Sequence, residues 1–122
     1  MEILVVDDEP SIVRLFQQRF RKEIKAGKLS LMFASSGEEA LEIFNSSKAE
    51  VVMILSDINM PGMSGLELLQ RLRKQDEKIP IYMISAYENE QYSRQSTELG
   101  ANGFIPKPLD FVSLKNLLQL DE

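Results

Sequence analysis

The chain alternates two patterns from end to end. Short apolar runs without a polar break alternate with longer stretches in which apolar residues return every three or four positions. Ile3 to Val6 is the first run and reads as a buried strand. Ser11 to Ile24 follows, with apolar residues at 12, 16, 20 and 24, and also at 13 and 15, which is one face of a helix. Pro10 suits its first turn and Gly27 breaks it. Leu29 to Ala34 is a second strand. Ser36 and Glu39 form a capping box before Ala40, Leu41 and Phe44. Val51 to Ser56 is a third strand, and Ser64 with Glu67 forms a second box before Leu66, Leu69 and Leu72. Pro80 precedes a fourth strand, Ile81 to Ser85. Glu88 to Leu99 is helical but poor in apolar residues, and Gly100 stops it. Gly103 to Pro106 is a short fifth strand, and Asp110 opens a last helix through Leu114, Leu117 and Leu118.

Five βα units with no linker or repeat between them predict an α/β fold. The strands form a doubly wound parallel sheet with helices on both faces and right-handed crossovers. Pro106 places the fifth strand at an edge.

At 122 residues the chain is expected to be a single domain over 1–122. Apolar residues make up 43% and charged residues 27%, which excludes a disordered chain. No apolar run approaches the ~20 residues of a membrane span. The N-terminus runs directly into a strand-like segment, so no signal peptide is expected. The lack of Cys removes disulfides and zinc–thiolate sites and permits a reducing, cytoplasmic location. The lack of His removes every imidazole base, imidazole metal ligand and phosphohistidine from this chain. A net charge of −5 disfavours nucleic acid and anionic membrane as partners. The one basic stretch, RFRKEIKAGK at 19 to 28, reads as a solvated helix face or a contact for an acidic partner.

In a doubly wound sheet, chemistry collects at the carboxyl ends of the strands. Here those ends carry Asp7-Asp8, Asp57, Ser85 and Lys107. Each alone has an ordinary reading as a cap, a turn residue or a surface lysine. Four such coincidences at four strand ends are a stronger pattern. Three carboxylates brought close together repel, and one is driven to protonate unless a cation neutralises them. Oxygen-only ligands of this kind suit Mg²⁺, which keeps open coordination for phosphate. With an ammonium and a hydroxyl beside it, Asp57 is equipped to attack phosphorus and receive a phosphoryl group.

The segments VVDDEP, SDINMPGMSG, ISA and FIPKP, in this order, resemble the receiver domain of bacterial two-component response regulators. The resemblance covers essentially the whole chain, and the separations of 28 residues from Asp57 to Ser85 and 22 from Ser85 to Lys107 fit it. It implies a flavodoxin-like (βα)5 fold with strand order 2-1-3-4-5, and a signalling domain rather than an enzyme. It implies that Asp57 is the phosphoacceptor, that Asp7, Asp8, Asp57 and the Asn59 carbonyl hold Mg²⁺, and that Ser85 and Lys107 contact the phosphoryl group. Phe104 matches the switch aromatic, and the Lys107–Pro108 bond is expected to be cis. The implied partners are a histidine kinase or phosphotransfer protein, and an effector reached through the fourth helix, fifth strand and fifth helix. Ser85 departs from the commoner Thr, and Pro106 precedes Lys107.

Other readings are an Asp-nucleophile phosphatase of the haloacid dehalogenase type, a flavin module and an inactive receiver-like scaffold. The first would end its opening strand in Asp-x-Asp, against Asp7-Asp8-Glu9 here. The acids of DDEPS would repel a flavin phosphate. Retention of every acidic, hydroxyl and lysine position argues against the scaffold. Tyr87, two residues after Ser85, is expected to screen the phosphoryl group from water. The chain ends at LLQLDE, where the last helix should finish, which suits a stand-alone receiver or a piece of a longer protein.

Overall fold

A computed structural model describes residues 1–47, 50–86 and 90–119. Its strands are β1 (Glu2–Val6), β2 (Ser30–Ala34), β3 (Val51–Asp57), β4 (Ile81–Ser85) and β5 (Gly103–Pro106). They form one parallel sheet in the order β2-β1-β3-β4-β5. Among the described residues the helices are α1 (Pro10–Arg19), α2 (Arg21–Lys25), α3 (Gly37–Ser46), α4 (Gly65–Gln75), α5 (Glu90–Glu98) and α6 (Phe111–Leu117). This is the doubly wound, flavodoxin-like arrangement that the alternating pattern and the resemblance imply.

The unbroken apolar runs are explained by burial on both faces. Successive strand side chains point to opposite sides. Leu4, Val6, Ile54 and Met83 pack on one face with Ala40 and Phe44 of α3 and Leu68, Leu69 and Leu72 of α4. Ile3, Val5, Leu55 and Ile84 pack on the other with Phe16, Phe20, Phe111 and Leu114. Each fully buried side chain of this kind contributes about 1.5–3 kcal/mol.

The helix expected over 11–24 is divided at Phe20, whose φ of −105° and ψ of 16° leave the helical region. Its N–H still donates to Phe16 O (3.0 Å), and its carbonyl accepts from Ile24 (2.9 Å), so the ladder runs on through the irregular residue. The Phe20 ring is fully buried, 5.9 Å from Phe16 and 5.7 Å from Phe111. Tertiary packing of that ring competes with regular helix geometry.

The two capping boxes are each half formed. Ser36 Oγ accepts from Glu39 N–H, but Glu39 Oε1 accepts from Ser35 N–H at 2.6 Å, one residue early. Ser64 Oγ accepts from Glu67 N–H, while the Glu67 carboxylate turns to Arg71 at 3.0 Å. Asp110 caps α6 through the N–H groups of Val112 and Ser113.

Arg73, in the last turn of α4, ties the amino ends of β4 and β5 together. Its guanidinium donates to Gly100 O (2.8 Å), Asp76 O (3.1 Å) and Asn102 Oδ1 (2.9 Å). Asn102 Oδ1 also accepts from Ile81 N–H, and Asn102 N–H donates to Ile81 O. The carboxyl end of α5 is thereby pinned, far from the acidic strand ends.

Candidate functional site

Local backbone bonds set the strand ends against one another. Asp7 follows β1, and its N–H donates to Ala34 O of β2 (3.0 Å). Asp57 is the last residue of β3, and Ile58 N–H donates to Ile84 O of β4 (3.0 Å). Lys107 follows β5, and its N–H donates to Ser85 O (2.9 Å). Parallel pairing thus carries four separate segments to one edge of the sheet.

There, single carboxylate oxygens of Asp7, Asp8 and Asp57 lie within 4.8 Å of one another. Asp57 is 5% exposed, Asp7 7%, and Ser85 fully buried. Lys107 Nζ sits 3.0 Å from Asp7 Oδ2 and 3.7 Å from Asp57 Oδ2. Asp7 Oδ1 accepts from Glu9 N–H (2.9 Å), which orients the carboxylate just ahead of Pro10 and α1. Asn59 Nδ2 donates to Ser85 Oγ at 3.4 Å. The Lys107–Pro108 bond is cis.

Three carboxylates face one ammonium, and the protonation energetics record the imbalance. Burial first, and then the Asp7 charge, push the Asp57 carboxyl up from 3.8 to about 6; Lys107 and the Asn59 N–H only partly oppose this. Burial also works against the Lys107 ammonium, but its bond to Asp7 and the Asp57 charge outweigh that and raise its pKa. Uncompensated negative charge in an all-oxygen donor set fits a hard divalent cation such as Mg²⁺.

The sequence-derived candidates Asp7, Asp8, Asp57, Asn59, Ser85 and Lys107 therefore meet at one edge. Phe104 lies on β5, half-buried against the α3–α5 side of the core. Tyr87 lies outside the described residues. Two contributors escaped the sequence reading. Gly65 opens α4 directly behind Asp57, and its N–H donates to Ile58 O at 2.7 Å. The second glycine of MPGMSG was its only signal. Ser56 Oγ donates to the Asp57 carbonyl (3.0 Å), a buried hydroxyl in an apolar run.

Comparison with known proteins gives a consistent neighbourhood. The family model described as "Response regulator receiver domain" matches residues 3–119. Sporulation initiation phosphotransferase F of Bacillus subtilis is 31% identical over 118 residues, covering 97% of this chain and 90% of that protein. The alkaline phosphatase synthesis transcriptional regulatory protein PhoP of the same organism is 36% identical over 107 residues, covering 88% of this chain but 42% of its own length. The chain thus spans under half of one relative and nearly all of the other. A chain of the CheX–CheY–BeF3–Mg²⁺ complex from Borrelia burgdorferi superposes with a TM-score of 0.87 at 29% identity, over 98% of this chain and 87% of that chain.

Proposed function

From the premise that this chain belongs to the response regulator receiver family, whose business is phosphorelay signalling, we propose that residues 1–122 act as one receiver domain with Asp57 as the phosphoacceptor. The observation that carries this reading is the Asp57 carboxylate, buried at the end of β3 within 3.7 Å of Lys107 and beside Asp7 and Asp8.

A carboxylate oxygen of Asp57 attacks the phosphorus of the donor. The bond from phosphorus to the donor breaks, and the electron pair leaves with the donor. Lys107 Nζ holds charge on the transferring oxygens, and Ser85 Oγ donates to one of them. Asp7, Asp8, Asp57 and the Asn59 carbonyl are the residues that would hold Mg²⁺, which supplies Lewis-acid stabilisation of the same oxygens. The donor is a phosphohistidine of a kinase or phosphotransfer protein, or a small acyl phosphate, because this chain has no His. Incubation with acetyl phosphate and Mg²⁺, borohydride trapping and mass spectrometry test the reading. Label is expected at Asp57 alone and lost with excess chelator. Label on another residue, or full labelling under chelation, overturns it.

The readout surface is α5, β5 and α6, the fourth and fifth helices of the five-unit pattern. Among the described residues of α5 only Ser96 is buried, while Tyr92 packs partly buried against the core. Few buried contacts mean low local stability. Phe104 lies on the adjoining strand, and an inward swing of its ring, following Ser85 toward the phosphoryl oxygens, would repack that surface. Hydrogen exchange with and without beryllofluoride is expected to change more over 90–108 than over 11–46. A larger change over α1 to α3 would refute this surface.

A further inference from the structure

The two edges of the sheet are built differently. β5 contains Pro106, whereas β2 reads SLMFA, with no charge and no proline to blunt an edge. Ser30 N–H donates to Met1 O (2.8 Å), and Ala34 O accepts from Asp7 N–H (3.0 Å). The even-numbered residues of β2 therefore turn their backbone polar groups toward β1. By alternation, Leu31 and Phe33 turn theirs to the open side.

Alongside that edge runs a groove of about 310 Å³, lined by Gln17, Arg21, Ile24, Lys25, Leu31 and Phe33. Its apolar part is real: Ile24 is 37% exposed, and Leu31 and Phe33 are half-buried. Its rim is cationic. Arg21 and Lys25 are exposed, and among the described residues no ion pair holds either. Residues 14 to 28 carry six basic side chains and one acid, a local +5 in a chain of −5, so the remainder carries −10. The one acid, Glu23, is turned away to Lys115 of α6 at 3.1 Å.

We propose that β2 and this groove bind an extended acidic segment of a partner protein. The segment adds a strand beside β2, bonding to the backbone of Leu31 and Phe33. It covers Ile24 with an apolar side chain and sets carboxylates against Arg21 and Lys25. A second copy of this chain is disfavoured as the occupant through the same edge, because two cationic rims would then face each other.

The test uses the full chain and a fluorescent heptapeptide Thr-Glu-Thr-Val-Thr-Glu-Thr, whose Glu and Val side chains share one face of an extended strand, followed by anisotropy and amide chemical shifts. Saturable binding is expected, with shifts confined to residues 17–34 and weakening as salt is raised. The exposed double variant Arg21→Glu/Lys25→Glu, or N-methylation of alternate peptide residues, should each weaken binding by about tenfold or more. Phosphoryl labelling of that variant should be unchanged, which separates this site from the acidic one. Four results would overturn the proposal: no saturable binding, shifts centred elsewhere, equal affinity for the N-methylated peptide, or tighter binding of a single-stranded oligonucleotide of equal charge. Self-association through β2, abolished by the double variant, would assign the edge to a second copy instead and also defeat it.

Discussion

Asp57→Asn is expected to make the metal-free protein more stable near neutral pH while abolishing phosphoryl acceptance. The Asp57 carboxyl is raised from 3.8 to about 6, first by burial and then by Asp7. A carboxyl whose folded pKa lies above its unfolded value favours the folded state at low pH, where both states hold the proton. That contribution fades as pH rises from the unfolded value through about 6, and above it the ionised group opposes folding. At 1.36 kcal/mol per pH unit, the penalty is on the order of 3 kcal/mol. Asn carries no charge and escapes it. Urea denaturation in chelator should show the variant ahead of the parent at pH ~7.5 and level with it near pH ~4. Mg²⁺ should stabilise the parent near neutral pH, less so below pH ~6 where protons compete, and the variant least. Acetyl phosphate labelling of the variant should fall by at least ~100-fold, since no nucleophile remains at the strand end. A variant less stable than the parent near neutral pH would show that the charge cluster does not strain the fold. The expected cost of the Asp57 charge to stability is of the kind that functional groups often carry.

Gly65→Ala is expected to be the most damaging single-methyl substitution in the chain. A Cβ at this position would overlap the Asp57 carbonyl and come within 2.7 Å of Ile58 Cα. Both obstacles are backbone at the end of a central strand, so neither can rotate away. The reason for Gly is close approach of α4 to β3. A loss of about 3 kcal/mol or more is expected, at the upper end for overpacking. Any relief must move Asp57 relative to Lys107, and a 1 Å misplacement can cost ~10²-fold in rate. Gly27→Ala is the control: no atom lies within 4 Å of its Cβ, and only its φ of 74° resists. That control should cost about 1–2 kcal/mol and leave labelling intact. Thermal unfolding and labelling rates of both variants check the contrast. Equal behaviour of the two would refute it.

The periodicity of the chain determined a great deal. Runs such as Val51 to Leu55 have no polar break because both faces of a central parallel strand are covered, so β3 was legible from five letters. The acids, hydroxyl and lysine were legible too, because a doubly wound sheet gathers its strand ends, and local pattern locates those ends. What the pattern could not carry was distance between segments. Lys107 bonds Asp7, 100 residues away, at 3.0 Å and stands 3.7 Å from Asp57. That preference depends on how β1, β3 and β5 settle against one another. The same holds for Phe20, where the ring's place among Phe16 and Phe111 interrupts a helix that its own sequence period extends. It holds for Glu39, which reaches Ser35 instead of Ser36, and for Glu23, drawn across to Lys115. Local sequence sets the period of each element because backbone bonding and side-chain alternation act over a few residues. Tertiary structure alone decides which partner a side chain finds, because that choice compares groups brought together only when the layers close.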